Sequence, residues 1–507
     1  MPTETVAYAT RADSERAGVQ TSRFIRDVFF ANLPLPFQKL RTYLWLVFFS
    51  RAFGPGGFGI WSLFQVTLGL AVTVTSMTQG NAMMRFLSGN RTREETNQGF
   101  SSVMAAVSVS SLIVALIIAA FSRQLSDLLF RDPSGRIILL LVAAIIPIDT
   151  FFEEMRGLLR ARRLNRSWAL LTLGRQLPEA LLLIAVVRWW ISEPGAAVSG
   201  YLVTASISVL LGYLFLVRRH DVRLMRPNPA LMAQYVPYGL ALVPGALASS
   251  LSFAADRYLV GYYLNLQQVG IYSVCFTVSG LGFFFCGPLT DVLLPEMAAL
   301  HDTKDWNQFD ARFAGVQKII IALAIGATAL LTFFSQYVLR LVATRDFSSG
   351  GPALKVLGLQ GIFMSLVMLY VVMLYVRIRP WWTAAVWTGM GFLVLLLDVL
   401  LLPRLGVMGA AYSQLISSIV GAVFVVGLNW RLFRRTFRFA WVAQAGAALL
   451  CVGLLAHFWQ AEALSFAQAV EHITAAAVVF IAGLFLTRYF RISELAELRT
   501  ALMKSRG

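Results

Sequence analysis

The sequence predicts an all-α polytopic membrane protein with about 14 transmembrane helices, set out as two six-helix lobes followed by a C-terminal helix pair. Three observations predict it. The chain of 507 residues is 58% hydrophobic and only 14% charged, with a mean hydropathy of +0.68, more apolar side chain than a soluble core can hide. Its apolar residues fall into runs long enough, at 1.5 Å per residue, to cross a hydrocarbon layer of roughly 30 Å. Finally, "FGIWSLF" at 58–64 returns as "VGIYSVC" at 269–275, one phrase written twice 211 residues apart.

In chain order the spans are expected over residues 25–50, 58–84, 99–121, 136–156, 166–187, 197–217, 236–260, 268–294, 315–338, 352–376, 381–402, 407–428, 441–460 and 470–487. Span 1 must begin before Pro34, because the run from Leu40 to Ser50 would reach only about 16 Å. It is not read as a cleavable signal peptide, since polar residues precede it and no small-x-small site follows. Spans 2 and 8 carry the repeat: Gly59, Ile60, Trp61 and Ser62 align with Gly270, Ile271, Tyr272 and Ser273. A shift of 209 aligns Gly200, Ser208 and Gly212 of span 6 with Gly409, Ser417 and Gly421 of span 12. An even number of spans per repeat keeps the orientation, so spans 1–6 and 7–12 form like-oriented lobes. The expected organisation is a tail (1–24), an N-lobe (25–217), a linker (218–235), a C-lobe (236–428), accessory spans 13 and 14 (441–487) and a second tail (488–507). The accessory runs 441–456 and 473–487 contain no charge, while Glu462 and Glu471 flank their loop.

The formal net charge of +17 is topological. Roughly 30 of the Lys and Arg residues fall in loops on the side shared by both termini, against about 8 in the opposite loops, which makes both termini cytoplasmic. Arg156, Arg160, Arg162, Arg163 and Arg166 form one such block, and Arg431, Arg434, Arg435 and Arg438 another. These loops are short and lack interleaved aromatic platforms, so anionic lipid head groups, not nucleic acid, are their expected neighbours.

Enzymatic chemistry finds little support. Cys275, Cys286 and Cys451 all lie in apolar spans and read as small core residues. Neither a metal-ligand spacing nor a phosphate-binding Gly loop, zinc-protease motif or Ser elbow is present, so no metal or cofactor is expected. The non-cytoplasmic loops are all under about 20 residues, too short for the external surface that a polymerase or ligase needs.

The stretches "RAFGPGGFGIWSLFQ" and "NAMMRFLSG", and then "DRYLVGYYLNLQQVGIYSVCF" and "LLPEMAALHD", resemble the lobe openings of Wzx-type polysaccharide flippases. "RLGVMGAAYSQLISSIVGAVF" resembles span 12 of the same group. These proteins belong to the multidrug/oligosaccharidyl-lipid/polysaccharide exporter superfamily. The resemblance implies alternating access that moves an undecaprenyl-pyrophosphate-linked oligosaccharide from the cytoplasmic to the outer leaflet of a bacterial inner membrane. The product would serve O-antigen, capsule or exopolysaccharide synthesis, with membrane lipids, a polysaccharide polymerase and export machinery as partners. A lipid II flippase and a multidrug cation antiporter of the same superfamily are the alternatives. In-span basic residues favour an anionic substrate over a cationic one.

Such a substrate needs cations at membrane depth. Lys39 and Arg41 follow Pro34 and Pro36 in span 1 and diverge by about 200° on a helix, so one of them faces a cleft fully. Arg175 lies about 13 Å beyond Arg166, deeper than snorkelling reaches, with Glu179 one turn on as a pairing partner. Asp149 and Glu153 share a face of span 4 after Pro147, placed to balance neighbouring basic groups or to hold a coupling cation. Asp256 and Arg257 end span 7, where the resemblance implies an acidic–basic pair. Lys39, Arg41, Arg175 and Arg257 are therefore the candidate diphosphate-binding residues, and Asp149, Glu153, Glu179 and Asp256 the charge-balancing or ion-coupling ones.

Overall fold

A chain whose solvent is hydrocarbon must satisfy its peptide groups internally, and helix does so within one segment. The computed structural model describes residues 30, 32–89, 91–132, 134–189, 193–377, 380–458 and 466–490, and every regular element among them is helical. The expected start of span 1 near residue 25, Glu462 and nearly all of both tails lie outside the described residues.

Thirteen described helices are long and apolar enough to cross a membrane. The first, Pro34–Thr75, is 42 residues long and carries spans 1 and 2 together. Its direction changes at Gly54 (φ 65°, ψ −176°), a left-handed position that glycine adopts without a Cβ clash, followed directly by Pro55. The 14 predicted spans are thus present, two of them sharing one kinked helix. Local chemistry sets several other boundaries. Thr92 and Glu95 form a reciprocal capping box at the start of Arg93–Ala120. Asn265 and Asp305 accept from Gln268 N and Gln308 N at the starts of Leu266–Ser279 and Trp306–Phe333. Arg218, Arg219 and His220 close Pro194–His220, where cations complement the helix dipole.

Spans 2, 7, 8 and 9 are each broken where the sequence predicts one helix. Span 2, expected to run to residue 84, ends at Thr75, and Gln79–Phe86 follows after the left-handed Met77 and Thr78. Span 9, expected to residue 338, ends at Phe333, with Ser335–Val342 after it. Hydropathy predicts span 7 as one helix to residue 260, but Pro229–Ser252 ends at a turn and Ala255–Tyr263 follows as a separate helix. Pro237 and Pro244 already remove two backbone donors from the first piece. Span 8 is likewise interrupted, by a 3₁₀ turn at Gly280–Phe283 between Leu266–Ser279 and Cys286–Asp302. Such breaks are tolerated at membrane depth where the freed groups find partners inside the protein. Cys275 and Cys286 are buried as expected, but Cys451 is exposed, on an outward apolar face where a small thiol meets lipid as readily as core.

The chain forms two compact units. The first comprises residues 1–52, 64–127 and 132–247, and its core gathers Phe100, Phe152, Met155 and Trp168. The second comprises 53–63, 128–131 and 248–507, with a core around Phe313, Leu369, Tyr370 and Met373. Leu112, Leu116, Leu210 and Val423 point outward, the arrangement a lipid solvent permits.

The repeated phrase has a physical meaning within the second unit. A Cβ on Gly59 would lie 2.1 Å from Leu266 O, and one on Gly270 would lie 1.8 Å from Pro55 O. Each glycine meets a carbonyl four residues before its own repeat counterpart, so the contact is locally two-fold. Ser62 and Ser273, also counterparts, share a 2.7 Å hydrogen bond. Small residues recur because two backbones touch there.

Candidate functional site

In the first unit four spans bring polar side chains to one point. Arg175 donates from Nη2 to Asp149 Oδ1 at 2.6 Å and from Nε to Glu179 Oε2 at 2.9 Å. The other oxygen of Glu179 accepts from Arg41 Nη1 at 2.8 Å, so one fully buried carboxylate holds two guanidinium groups. The hydroxyl of Tyr201 donates to Asp149 Oδ2 at 2.8 Å and accepts from Arg175 Nη2 at 2.9 Å. Arg175 also lies 4.6 Å over the ring of Phe152, and Arg41 4.6 Å over that of Trp45. Two guanidiniums and two carboxylates balance, which is what allows them to be buried. Arg41 is the outer member: its side chain remains 19% exposed.

The structure therefore brings Arg41, Asp149, Arg175 and Glu179 together and leaves Lys39 and Glu153 apart. Lys39 is exposed, on a different face from Arg41. Glu153 lies one turn nearer the basic end of span 4, half-exposed, and pairs with Arg156 at 2.5 Å.

A second cluster forms in the second unit. Buried Asp256 accepts from Arg257 N at 2.8 Å, from Gln414 Nε2 at 3.1 Å and from the hydroxyl of Tyr272. Gln360 extends the chain by donating to Gln414 Oε1 at 3.1 Å. Arg257 donates to Phe253 O at 2.6 Å, packs over Phe276 at 4.6 Å and stands 3.6 Å from Asp256 Oδ1. Asp398, wholly buried, has Asp256 and Ser413 as neighbours, yet neither of its carboxylate oxygens meets hydrogen-bond geometry with a described group. Two carboxylates here face one guanidinium.

Sequence reasoning misses Asp398, Tyr201, Tyr272, Gln414 and Glu154. Asp398 has a signal: it is the lone acid in "FLVLLLDVLLL", and a lone intramembrane acid is a functional candidate by default. Glu154 stands beside Glu153 but 100° further round the helix, which turns it inward to near-complete burial. The tyrosines and glutamine carry no charge, so only the fold reveals them.

Spans 9, 13 and 14 of the second unit border an apolar groove of about 860 Å³, walled by residues such as Ile319, Leu323, Phe480 and Leu484. At one end it meets Arg312 and Lys318. Arg312 pairs with Glu296 at 3.1 Å, and the Lys318 ammonium lies 5.2 Å from the Phe490 ring centroid. The groove is amphiphilic: a long apolar wall with Arg312, Lys318 and Glu296 at one end, where the cations exceed the acid by one.

The sequence profile of the family described as polysaccharide biosynthesis protein matches residues 26–301, more than half of the chain. The chain belongs to this family. It is a flippase-type membrane transporter of the multidrug/oligosaccharidyl-lipid/polysaccharide exporter superfamily. The profile of the lipid II flippase MurJ matches residues 269–497. A curated relative, the probable low-salt glycan biosynthesis flippase Agl15 of Haloferax volcanii, is 21% identical over 403 residues, covering 79% of this chain and 80% of its own. Among solved structures, the inward closed conformation of the lipid II flippase MurJ aligns with a TM-score of 0.74 at 13% identity, covering 92% of this chain and all of the other. An inward-facing multidrug resistance MATE family transporter aligns at 0.60 and 15% identity, covering 78% and 95%. These two likenesses show the fold.

Proposed function

We propose that the protein moves an undecaprenyl-pyrophosphate-linked oligosaccharide from the cytoplasmic to the outer leaflet of a bacterial inner membrane by alternating access. The observation that carries this reading is the amphiphilic groove of spans 9, 13 and 14. A prenyl chain joined to a diphosphate is long and apolar with an anionic end, and the groove offers an apolar wall ending in Arg312 and Lys318. A small multidrug cation would gain nothing from those cations. The profile match and the glycan-flippase relative support the same substrate class. Arg41 is the residue best placed to take the diphosphate in the first unit, because it is partly open while Glu179 orients it, and a guanidinium can grip phosphate bidentately. Lys39 adds attraction from the exposed side. Asp256 and Asp398 outnumber their guanidinium partner by one, which supports a coupling cation in the second unit. The lobe, linker and tail assignments of the sequence reading complete the proposal, with both termini cytoplasmic and a polymerase and export machinery downstream.

Lipid II as substrate is a second reading, favoured by the match of the MurJ profile to residues 269–497. Leaflet-resolved measurement in proteoliposomes decides between them, with lipid II and an undecaprenyl-pyrophosphate-linked oligosaccharide offered separately. The oligosaccharide is expected to cross, and the Lys39→Gln, Arg41→Gln double variant to stop it at matched protein abundance. Normal movement in that variant would remove span 1 from the binding site. Movement of lipid II alone would replace the substrate assignment.

A further inference from the structure

A second cavity, of about 320 Å³, lies wholly within the first unit where the ends of spans 2 and 4 meet the start of span 5. It has no part in the ion cluster around Arg175. Its wall mixes apolar and polar groups, and the polar or aromatic residues that matter are Ser76, Asn81, Glu154, Arg156, Arg160 and Trp168. Glu154 is 1% exposed. Among the described residues its Oε2 has no hydrogen-bond partner, and neither have the Nε of Arg156 and the indole Nε1 of Trp168. Three buried polar atoms without partners around one cavity, one acceptor and two donors, call for a ligand or a change of state, because such groups are rare in folded proteins.

The lining narrows the chemistry. The carboxyls of Glu153 and Glu154 stand among the donors of Arg156 and Arg160, so a phosphate, which mainly accepts, would pair with only part of this lining. Arg156 and Arg160, whose guanidinium carbons stand 5.5 and 4.4 Å from the Trp168 ring, would repel a cation. An apolar ligand would leave all of these groups unpaired. What remains is a neutral ligand whose every polar group both donates and accepts. A sugar ring meets that description, and the volume suits about one pyranose.

We propose that this cavity is a sugar subsite that reads one hexose ring of the transported glycan through Glu154, Asn81 and the Arg156–Arg160–Trp168 wall. The ligand class follows from the lining; its place in transport rests on the function proposed above. Glu154 accepts from ring hydroxyls, and the two arginines and Asn81 donate to them. Because Glu154 sits on the same helix as Asp149, occupancy registers on the element that holds the ion cluster.

Saturation-transfer NMR on the full-length protein in nanodiscs tests this, with free glucose, galactose and N-acetylglucosamine as probes. At least one sugar is expected to give a saturable signal in the millimolar range. Glu154→Gln and, as an exposed-site variant that leaves the buried network untouched, Asn81→Ala should each weaken it about tenfold or more. Lys355→Gln, far along the chain and exposed, should not. Absence of a saturable signal from all three sugars, signals in both cavity variants equal to the parent's, or displacement of the sugar by inorganic phosphate would each overturn the proposal. A parallel flipping assay compares an undecaprenyl-pyrophosphate-linked sugar with undecaprenyl pyrophosphate lacking one. Glu154-dependent sugar binding without movement of either lipid would sink the transport reading and leave the subsite standing. Movement of both without sugar binding would do the reverse.

Discussion

The ion clusters of the two units are built on opposite principles. Around Arg175, two guanidiniums and two carboxylates neutralise one another, and Tyr201 fills the remaining valence of Asp149. Around Asp256, neutral donors do most of the work: a tyrosine hydroxyl, a glutamine amide and a backbone N–H hold one carboxylate, while Asp398 beside it meets hydrogen-bond geometry with no described group. The first cluster balances in number of guanidiniums and carboxylates, and the second has one carboxyl group more than it has guanidiniums. The repeated phrase contributes to the second cluster directly. "GIWS" becomes "GIYS", and the residue that replaces Trp61 is Tyr272, whose hydroxyl reaches Asp256.

The comparison can be broken most forcefully at Glu179. Replacing it by Leu strips a shared partner from both Arg41 and Arg175, leaving buried guanidinium charge uncompensated. Breaking a buried pair from one side costs about 3 to 5 kcal/mol, so the variant is expected to unfold far more readily in detergent, seen as a large fall in its thermal midpoint. A variant as stable as the parent would mean that the first cluster is not held by its charge balance.

The second cluster should respond with the opposite sign. Asp398 is buried beside Ser413, with neither oxygen in hydrogen-bond geometry with a described group, an arrangement that costs about 1 to 3 kcal/mol for each unsatisfied group. Asp398→Leu is therefore expected to raise thermal stability in a buffer whose only cation is bulky choline, while abolishing coupled transport. Loss of stability in that buffer would show that Asp398 is already satisfied, and would erase the contrast between the units.

How much of this is legible in the sequence depends on the kind of signal. The spans are, because apolar length is a one-dimensional property. Pairing of Arg175 with Glu179 is, because residues four apart share a helix face. Arg41 meeting Glu179 is not: the two are 138 residues apart, and only packing of spans 1 and 5 brings them together. The breaks in spans 7 and 8 are hidden because hydropathy stays high through a turn whose backbone is satisfied inside the protein. Glu153 draws attention by its spacing from Asp149, yet the buried acid is its neighbour, since spacing fixes a face without fixing which face is inward.

Where the repeats touch, the two halves should behave alike, which sharpens the contrast with the clusters. A Cβ on Gly59 or Gly270 would overlap a backbone carbonyl, so either Ala variant is expected to cost about 1 to 3 kcal/mol by overpacking. Gly69, which stands 211 residues before Gly280 and so shares the offset of the repeat, has nothing within 4 Å of the place a methyl would take, and Gly69→Ala should be neutral or slightly stabilising. Thermal midpoints of the three variants check this together. An unequal response at Gly59 and Gly270 would break the local two-fold.

The smallest effect is expected at the hydrogen bond that closes this contact. Ser62 donates to Ser273 across 2.7 Å, and both side chains are buried. Ser62→Ala removes the donor and leaves the Ser273 hydroxyl to find another partner, at a cost of about 1 kcal/mol. Ser273→Ala removes the acceptor and strands Ser62 in the same way, so the two single variants should match. Changing both serines leaves no stranded hydroxyl, and the double variant should be closer to the parent than the sum of the singles, a coupling that a double-mutant cycle reads directly. Strict additivity would mean that the two hydroxyls do not depend on each other, and that the repeated phrase is preserved by the glycine contact alone.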